Sequence, residues 1–200
     1  MTRRRFPGGR LVVATHNAGK LDEMRALFAP HGIEVVGAAE MGLAEPEETE
    51  TTFVGNARIK AAAAVEATGL PALADDSGLI VDALGGAPGL YSARYAGSPT
   101  DDGANNAKLL QALDGLPESR RTARFYAVIV LLRHADDPQP LIAEGSWEGV
   151  ITTAPRGTGG FGYNPVFLDP ASGLTAAELP PEQKNRISHR ALALQALREV

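Results

Sequence analysis

Short apolar runs lie at 11–14, 33–36, 72–74, 79–81, 125–132, 141–146 and 148–152, and helical spacing of apolar residues marks about 18–29, 52–67, 100–113 and 188–198. Strands interleaved with helices indicate an α/β protein, while the hairpin expected over 124–152, with HADDPQP at 134–140 as its loop, adds directly adjacent strands. A mixed central β-sheet flanked by helices satisfies both. Thr100 or Asp101 is an apt N-cap for the third helix and Ser188 for the last. Gly- and Pro-rich stretches at 85–89 and 155–165 predict irregular loops, where sites are usually built.

With 200 residues the chain has room for one domain, or for two small lobes sharing a core. The absence of cysteine excludes disulfides and thiolate metal sites, which leaves oxygen or imidazole ligands and favours a hard ion such as magnesium. A net charge of −5 argues against a nucleic-acid coat. No apolar stretch is long enough to span a bilayer, so a cytoplasmic protein with a flexible basic tail over residues 1–10 and one domain over 11–200 is expected.

LVVATHNAGKLDEM, residues 11–24, runs from an apolar strand through a polar loop into a helix. It is not a P-loop, because Ala14 stands where the first glycine is needed and Leu21 where the hydroxyl after the lysine is needed. A helix N-terminus with Lys20 in its first turn nevertheless suits an anion. An ordinary strand-to-helix turn with a solvated lysine is the alternative.

Acidic residues crowd EPEETETTF, 45–53, ahead of a helix in which Asn56 and Lys60 share one face of an alanine-rich segment. That polar pair marks either an internal cleft or a solvent face, and the glutamates either bind a cation or complement the helix dipole. In ADDSGL, Asp75 and Asp76 are expected in a short turn between two apolar runs. Adjacent carboxylates repel unless a cation relieves them, though an Asx turn with Ser77 and Gly78 would also account for the motif. Arg94 reads as a structural ion pair in preference to a phosphate ligand.

In GTGGFGYNPVF, 157–167, Phe161 and Tyr163 stand among glycines, where Phe161 could stack on a nucleobase or close a minor core. Near the C-terminus EQKNRISHR gathers the donors of Lys184, Ser188, His189 and Arg190 at the start of the last helix, suited to a carbonyl oxygen or a phosphate.

Taken together these stretches resemble the inosine triphosphate pyrophosphatase family, which acts on non-standard purine nucleotides. Its T/S-x-N-x-x-K motif is matched by Thr15, Asn17 and Lys20, and NARIKA, ADDSGL, GGAPGLYSARYAG, GTGGFGYNPVF and KNRISHR follow in the family's order from about residue 11 to 198. The resemblance implies hydrolysis of dITP, ITP and XTP to monophosphate and pyrophosphate, with Mg2+ as cofactor, a homodimer, and two lobes with the nucleotide cleft between them. It implies that Thr15, His16, Asn17, Ala18, Gly19 and Lys20 bind the triphosphate, with Asn56 also a substrate-binding residue; in the expected in-line attack of water, Lys20 and Lys60 are catalytic, stabilising charge on the departing pyrophosphate. Glu47 or Glu48 with Asp76 would hold the metal, and Asp76 would be the catalytic base. Ser77, Phe161, Gly162, Tyr163, Asn164, Lys184, His189 and Arg190 would form the nucleoside pocket. Asn164 departs from the family's usual aspartate: it keeps an acceptor oxygen and loses a charge. Two other functions stay open, a Maf-like pyrimidine nucleotide pyrophosphatase and a non-catalytic nucleotide-binding module.

Overall fold

The computed structural model describes residues 9–198, so the expected tail lies outside the described residues except at its last two positions. Arg10 is not part of a tail. It opens strand β1 (Arg10–Val13), and its side chain meets Glu34 at 3.1 Å. Helix α1 (Ala18–Phe28), β2 (Glu34–Gly37), α2 (Phe53–Thr68), β3 (Ala72–Val81), α3 (Asp102–Ala112), β4 (Thr122–Leu132) and β5 (Leu141–Ile151) follow. The chain ends with two short strands, β6 (Phe167–Asp169) and β7 (Leu174–Thr175), and helices α4 (Pro181–Ile187) and α5 (His189–Leu197).

The strands form a seven-stranded sheet in the order β2-β1-β3-β4-β5-β6-β7. β1 runs parallel to β2 and β3, whereas β6 is antiparallel to β5 and to β7, so the sheet is mixed, as expected. Asp101 caps α3, its carboxylate accepting from the Ala104 amide at 2.9 Å.

Three local expectations are corrected. No turn interrupts β3 at Asp75 and Asp76, because the strand lies inside the sheet between β1 and β4 and tertiary pairing overrides the turn preference of Asp-Asp-Ser-Gly. The runs at 141–146 and 148–152 likewise join into β5, whose residues alternate between buried and exposed as a strand with one solvated face requires. Ser188 does not open the last helix: it is the C-cap of α4, in an extended conformation, and α5 starts at His189.

The described residues group into two compact units, one containing the chain up to Asp76 with Ala127–Gly145 and the residues from Arg190 on, the other Ser77–Tyr126 and Ser146–His189. In the first, Leu21, Met24 and Phe28 of α1 pack with Leu11, Val13, Leu73, Ile129 and Leu194. In the second, Phe125, Trp147 and Phe167 form an aromatic core, with Phe125 and Phe167 centroids 4.3 Å apart, packed with Leu79, Leu109 and Ile151.

One detail of register positions the chemistry of the first unit. β1 ends at Val13, opposite Leu73, so β3 continues past the point where the chain leaves β1 for α1. Asp75 and Asp76 therefore lie just beyond the carboxyl end of β1. In open α/β sheets that end is where ligands bind.

Candidate functional site

The loop from β1 to α1 is shaped by side chains in place of glycine. Thr15 Oγ1 accepts from the Asn17 amide at 3.1 Å, and Asn17, the N-cap, accepts from the Lys20 amide at 3.0 Å. His16 Nε2 lies 2.7 Å from the Leu43 carbonyl. Ala18 and Gly19 fall inside the first turn of α1, whose amides have no acceptor within the helix and aim a positive dipole end along the loop.

On β3, successive side chains point to opposite faces of the sheet. Asp75 and Asp76 are thus parted by the pleat, and each meets its own cation. Asp75 accepts from Lys20 Nζ at 2.8 Å and from Arg190 Nε and Nη2 at 3.1 and 3.2 Å. Arg190 also binds Glu23, and its side chain is only 2% exposed. Burial alone would raise the Asp75 pKa, but Arg190 and Lys20 outweigh it and hold the carboxyl well below the usual carboxylate range. The Lys20 ammonium is pulled down by burial, with Asp75 opposing. Arg190, expected to face a nucleoside, thus has its guanidinium committed to two carboxylates.

Asp76 meets Lys60 Nζ at 2.8 Å, and the same ammonium reaches Glu48 at 3.0 Å. Burial pushes the Asp76 carboxyl up, and the nearby Glu48 charge adds to that, against Lys60. Although burial lowers the Lys60 pKa, the two carboxylates raise it above its ordinary value. Lys60 and Asn56 are both buried on the inner face of α2, which bears out the internal alternative for that pair. Asn56 Oδ1 accepts from the Glu50 amide at 3.0 Å, and Gly55 permits the close approach, since a Cβ there would lie 2.6 Å from Glu50 Cβ. The acidic segment is pinned in this way so that Glu48 comes to Asp76. Glu47 is exposed.

Among the described residues no group of three or more His, Cys, Asp or Glu side chains is arranged to hold a metal ion. Magnesium does not need one: it is commonly held by one or two carboxylates, with waters and substrate phosphates completing the octahedron. Two carboxylate oxygens already directed at one ammonium fit that donor set.

The second unit carries the remaining predicted residues. Gly162 is clamped by α3, its amide donating to Asp102 at 2.7 Å and its carbonyl accepting from Asn106 at 3.0 Å. Tyr163 is buried, its hydroxyl donating to the Ser92 carbonyl at 2.7 Å, so it braces the loop from the core side. A Cβ on Gly160, whose φ is +73°, would lie 2.0 Å from Asn164 Nδ2 and 3.3 Å from Lys184 Nζ, so the two nitrogens gather over this glycine. Asn164 Nδ2 is buried with no hydrogen-bond partner. Lys184 Nζ is 5.7 Å from the Phe161 ring centroid, and His189 stacks on Phe125 at 4.9 Å. Ser77 follows Asp76 on β3 and is half-buried. Arg94 lies over the Tyr91 ring at 5.3 Å, a cation–π contact.

Sequence reasoning missed Glu23, Asp102 and Asn106, and left Asp75 without a role. Acidic and amide residues at helical spacing with the buried positions of α1 and α3 were the available signal, and nothing in the pattern told a clamp from a solvated face.

The Ham1 family model matches residues 11–200. A dITP/XTP pyrophosphatase of Xanthomonas campestris pv. campestris (strain 8004) is 71% identical over 187 residues, covering 94% of each chain. One of Escherichia coli O157:H7 is 54% identical over 188 residues, 94% of this chain and 95% of its own. The solved HAM1 protein of Coxiella burnetii superposes with a TM-score of 0.86 at 48% identity, over 95% of this chain and 96% of that one. The chain that pairs Asp75 with Lys20 and Asp76 with Lys60 belongs to the Ham1 family.

Proposed function

We propose that the protein hydrolyses dITP, ITP and XTP to the monophosphate and pyrophosphate, clearing non-standard purine nucleotides from the precursor pool. The observation that carries this is the pair of adjacent β3 carboxylates, each bound to a lysine from a different helix, at the carboxyl end of β1. The names of the close relatives support the same activity. Residues 11–200 then serve as one catalytic domain. The homodimer rests on family resemblance alone, and the cytoplasmic setting on the sequence's lack of a bilayer-spanning apolar stretch. No helix among the described residues is long and apolar enough to cross a membrane.

In this reading Thr15, His16, Asn17 and the amides of Ala18 and Gly19 form the bed for the triphosphate, with Lys20 and Lys60 matching its charge and Asn56 fixing the acidic segment. Glu48 and Asp76 are the magnesium ligands, and the bound ion would neutralise phosphate charge and position water. Asp76 takes the proton of the water that attacks the α-phosphorus in line. Asp75 and Arg190 act one step back, holding Lys20. Phe161 supplies a stacking face, and the donors of Lys184, Asn164 and His189 select a purine with an oxygen at position 6. Adenine presents an amino group there, leaving buried donors unpaired, a mismatch worth up to about ten-thousandfold.

The test is a magnesium-dependent assay with dITP, XTP, dGTP, dATP and dTTP and product identification. Monophosphate plus pyrophosphate from dITP and XTP in preference to dATP is expected. Stepwise loss of the γ-phosphate, or equal rates on all five, would overturn it.

A further inference from the structure

We infer that Lys60 is a built-in competitor of the divalent cation: its ammonium bridges Glu48 and Asp76, and must be displaced before a metal can bind there. The inference rests on the reading of those two carboxylates as the metal ligands. It adds that free protein binds metal weakly, and that metal and triphosphate load together.

Three observations carry it. One ammonium lies 2.8 Å from Asp76 Oδ1 and 3.0 Å from Glu48 Oε1, so both oxygens are aimed at a single cationic point. A divalent ion ligated by both would need that point, and cannot share it with a positive nitrogen at hydrogen-bond distance. The lysine is also no solvated surface charge, since its side chain is only 9% exposed. Finally, it has somewhere to go. A cavity of about 260 Å³ in the first unit is lined by Lys60 with Ala63, Ala64 and Ala67 of α2 and by Ala14 and His16 of the loop before α1. Small side chains on α2 leave this space open, and it leads from the lysine stem to the loop assigned to the phosphates.

The thermodynamic consequence is coupling. Metal binding alone would leave the displaced ammonium in a mostly apolar cavity whose lining carries one carboxylate, that of the exposed Glu45. A triphosphate on the loop adds several negative charges to that one, so each ligand strengthens the other by the same factor. Lys60 therefore passes from carboxylates to phosphate as the substrate complex forms, and its contact with Asp76 is broken when Asp76 is required as a base.

The experiment needs no nucleotide. Mn2+ affinity is measured by electron paramagnetic resonance of the free ion for the wild-type chain, Lys60→Gln and Lys60→Gln/Asp76→Asn, at low ionic strength. Lys60→Gln is expected to bind Mn2+ at least about tenfold more tightly than wild type, a modest fraction of the repulsion between one and two charges at contact distance, and the double variant should lose that gain. Melting curves in chelator and in Mn2+ give a second readout, with a larger Mn2+-induced rise in Tm for Lys60→Gln than for wild type. Lys60→Met replaces Lys60→Gln if the amide variant does not fold. Unchanged or weaker Mn2+ affinity overturns the inference, as does a gain that survives Asp76→Asn. Magnesium-dependent pyrophosphate release by the wild-type chain is judged separately, so loss of that activity reading and loss of the competition are distinct results.

Discussion

Replacing Arg190 with methionine removes the guanidinium from a deeply buried charge group of the first unit while nearly keeping its volume. Arg190 and Asp75 are 2% and 1% exposed at the side chain, and Glu23 shares the same guanidinium. Breaking a buried ion pair by deleting one partner costs about 3–5 kcal/mol, since the remaining charge stays desolvated. Here Lys20 still faces Asp75 at 2.8 Å, so the lower end, about 3 kcal/mol, is expected at neutral pH. For a chain of this size that corresponds to a fall in Tm of roughly 6–12 °C.

The pH dependence tests the cause. In the wild-type chain the folded pKa of Asp75 lies below its unfolded value, so its contribution to stability is fully present above the unfolded pKa and is lost as pH falls through that value toward the folded one. Arg190→Met lets the folded pKa rise, and protonation then relieves the orphaned carboxylate. The stability gap between wild type and variant, from urea melts at a series of pH values, should be greatest near neutrality and shrink below about pH 4, the ordinary carboxylate range. A gap under about 1 kcal/mol at neutral pH, or one that stays constant down the series, would refute the account of Arg190 as the counter-ion that keeps Asp75 ionised.

Other perturbations separate the remaining roles. Asp76→Asn should lower turnover at least about a hundredfold with KM little changed; near-normal turnover in steady-state kinetics would dismiss Asp76 as the base. Glu48→Gln should raise the magnesium concentration needed for half-maximal rate by about tenfold, the cost of one charge-assisted ligand, whereas Glu47→Gln should leave it unchanged in the same titration. Asn164→Asp sets a carboxylate beside Lys184 Nζ and should raise KM for dITP while leaving kcat within about threefold, a KM effect expected of lost ground-state binding; equal KM values would remove Asn164 from base recognition.

Each of these substitutions acts at a residue whose type was visible in the sequence and whose partner was not. The strand–loop–helix at 11–28, the polar face of α2 and the mixed sheet could be read because periodicity and capping are local properties of the chain. The strands β6 and β7 span three and two residues, too short for any period to register, and α4 is absent from the expected elements because the last helix is expected only from Ser188 and the seven residues before it are mostly polar. At Asp75 and Asp76 local preference pointed the wrong way. Read as a turn, the pair needed one shared cation to relieve its repulsion. As a strand, it has its two carboxylates on opposite faces, and two separate cations arrive from α1 and α2, with Arg190 joining from α5. A single change of backbone state thus alters the electrostatic problem from pairing two anions with one metal to giving each carboxylate its own nearest cation, with Lys20 still acting on Asp76 at longer range. That division keeps Asp75 ionised near neutral pH as a holder of Lys20, while Asp76, paired with Lys60, is the carboxylate proposed to serve a metal and a proton.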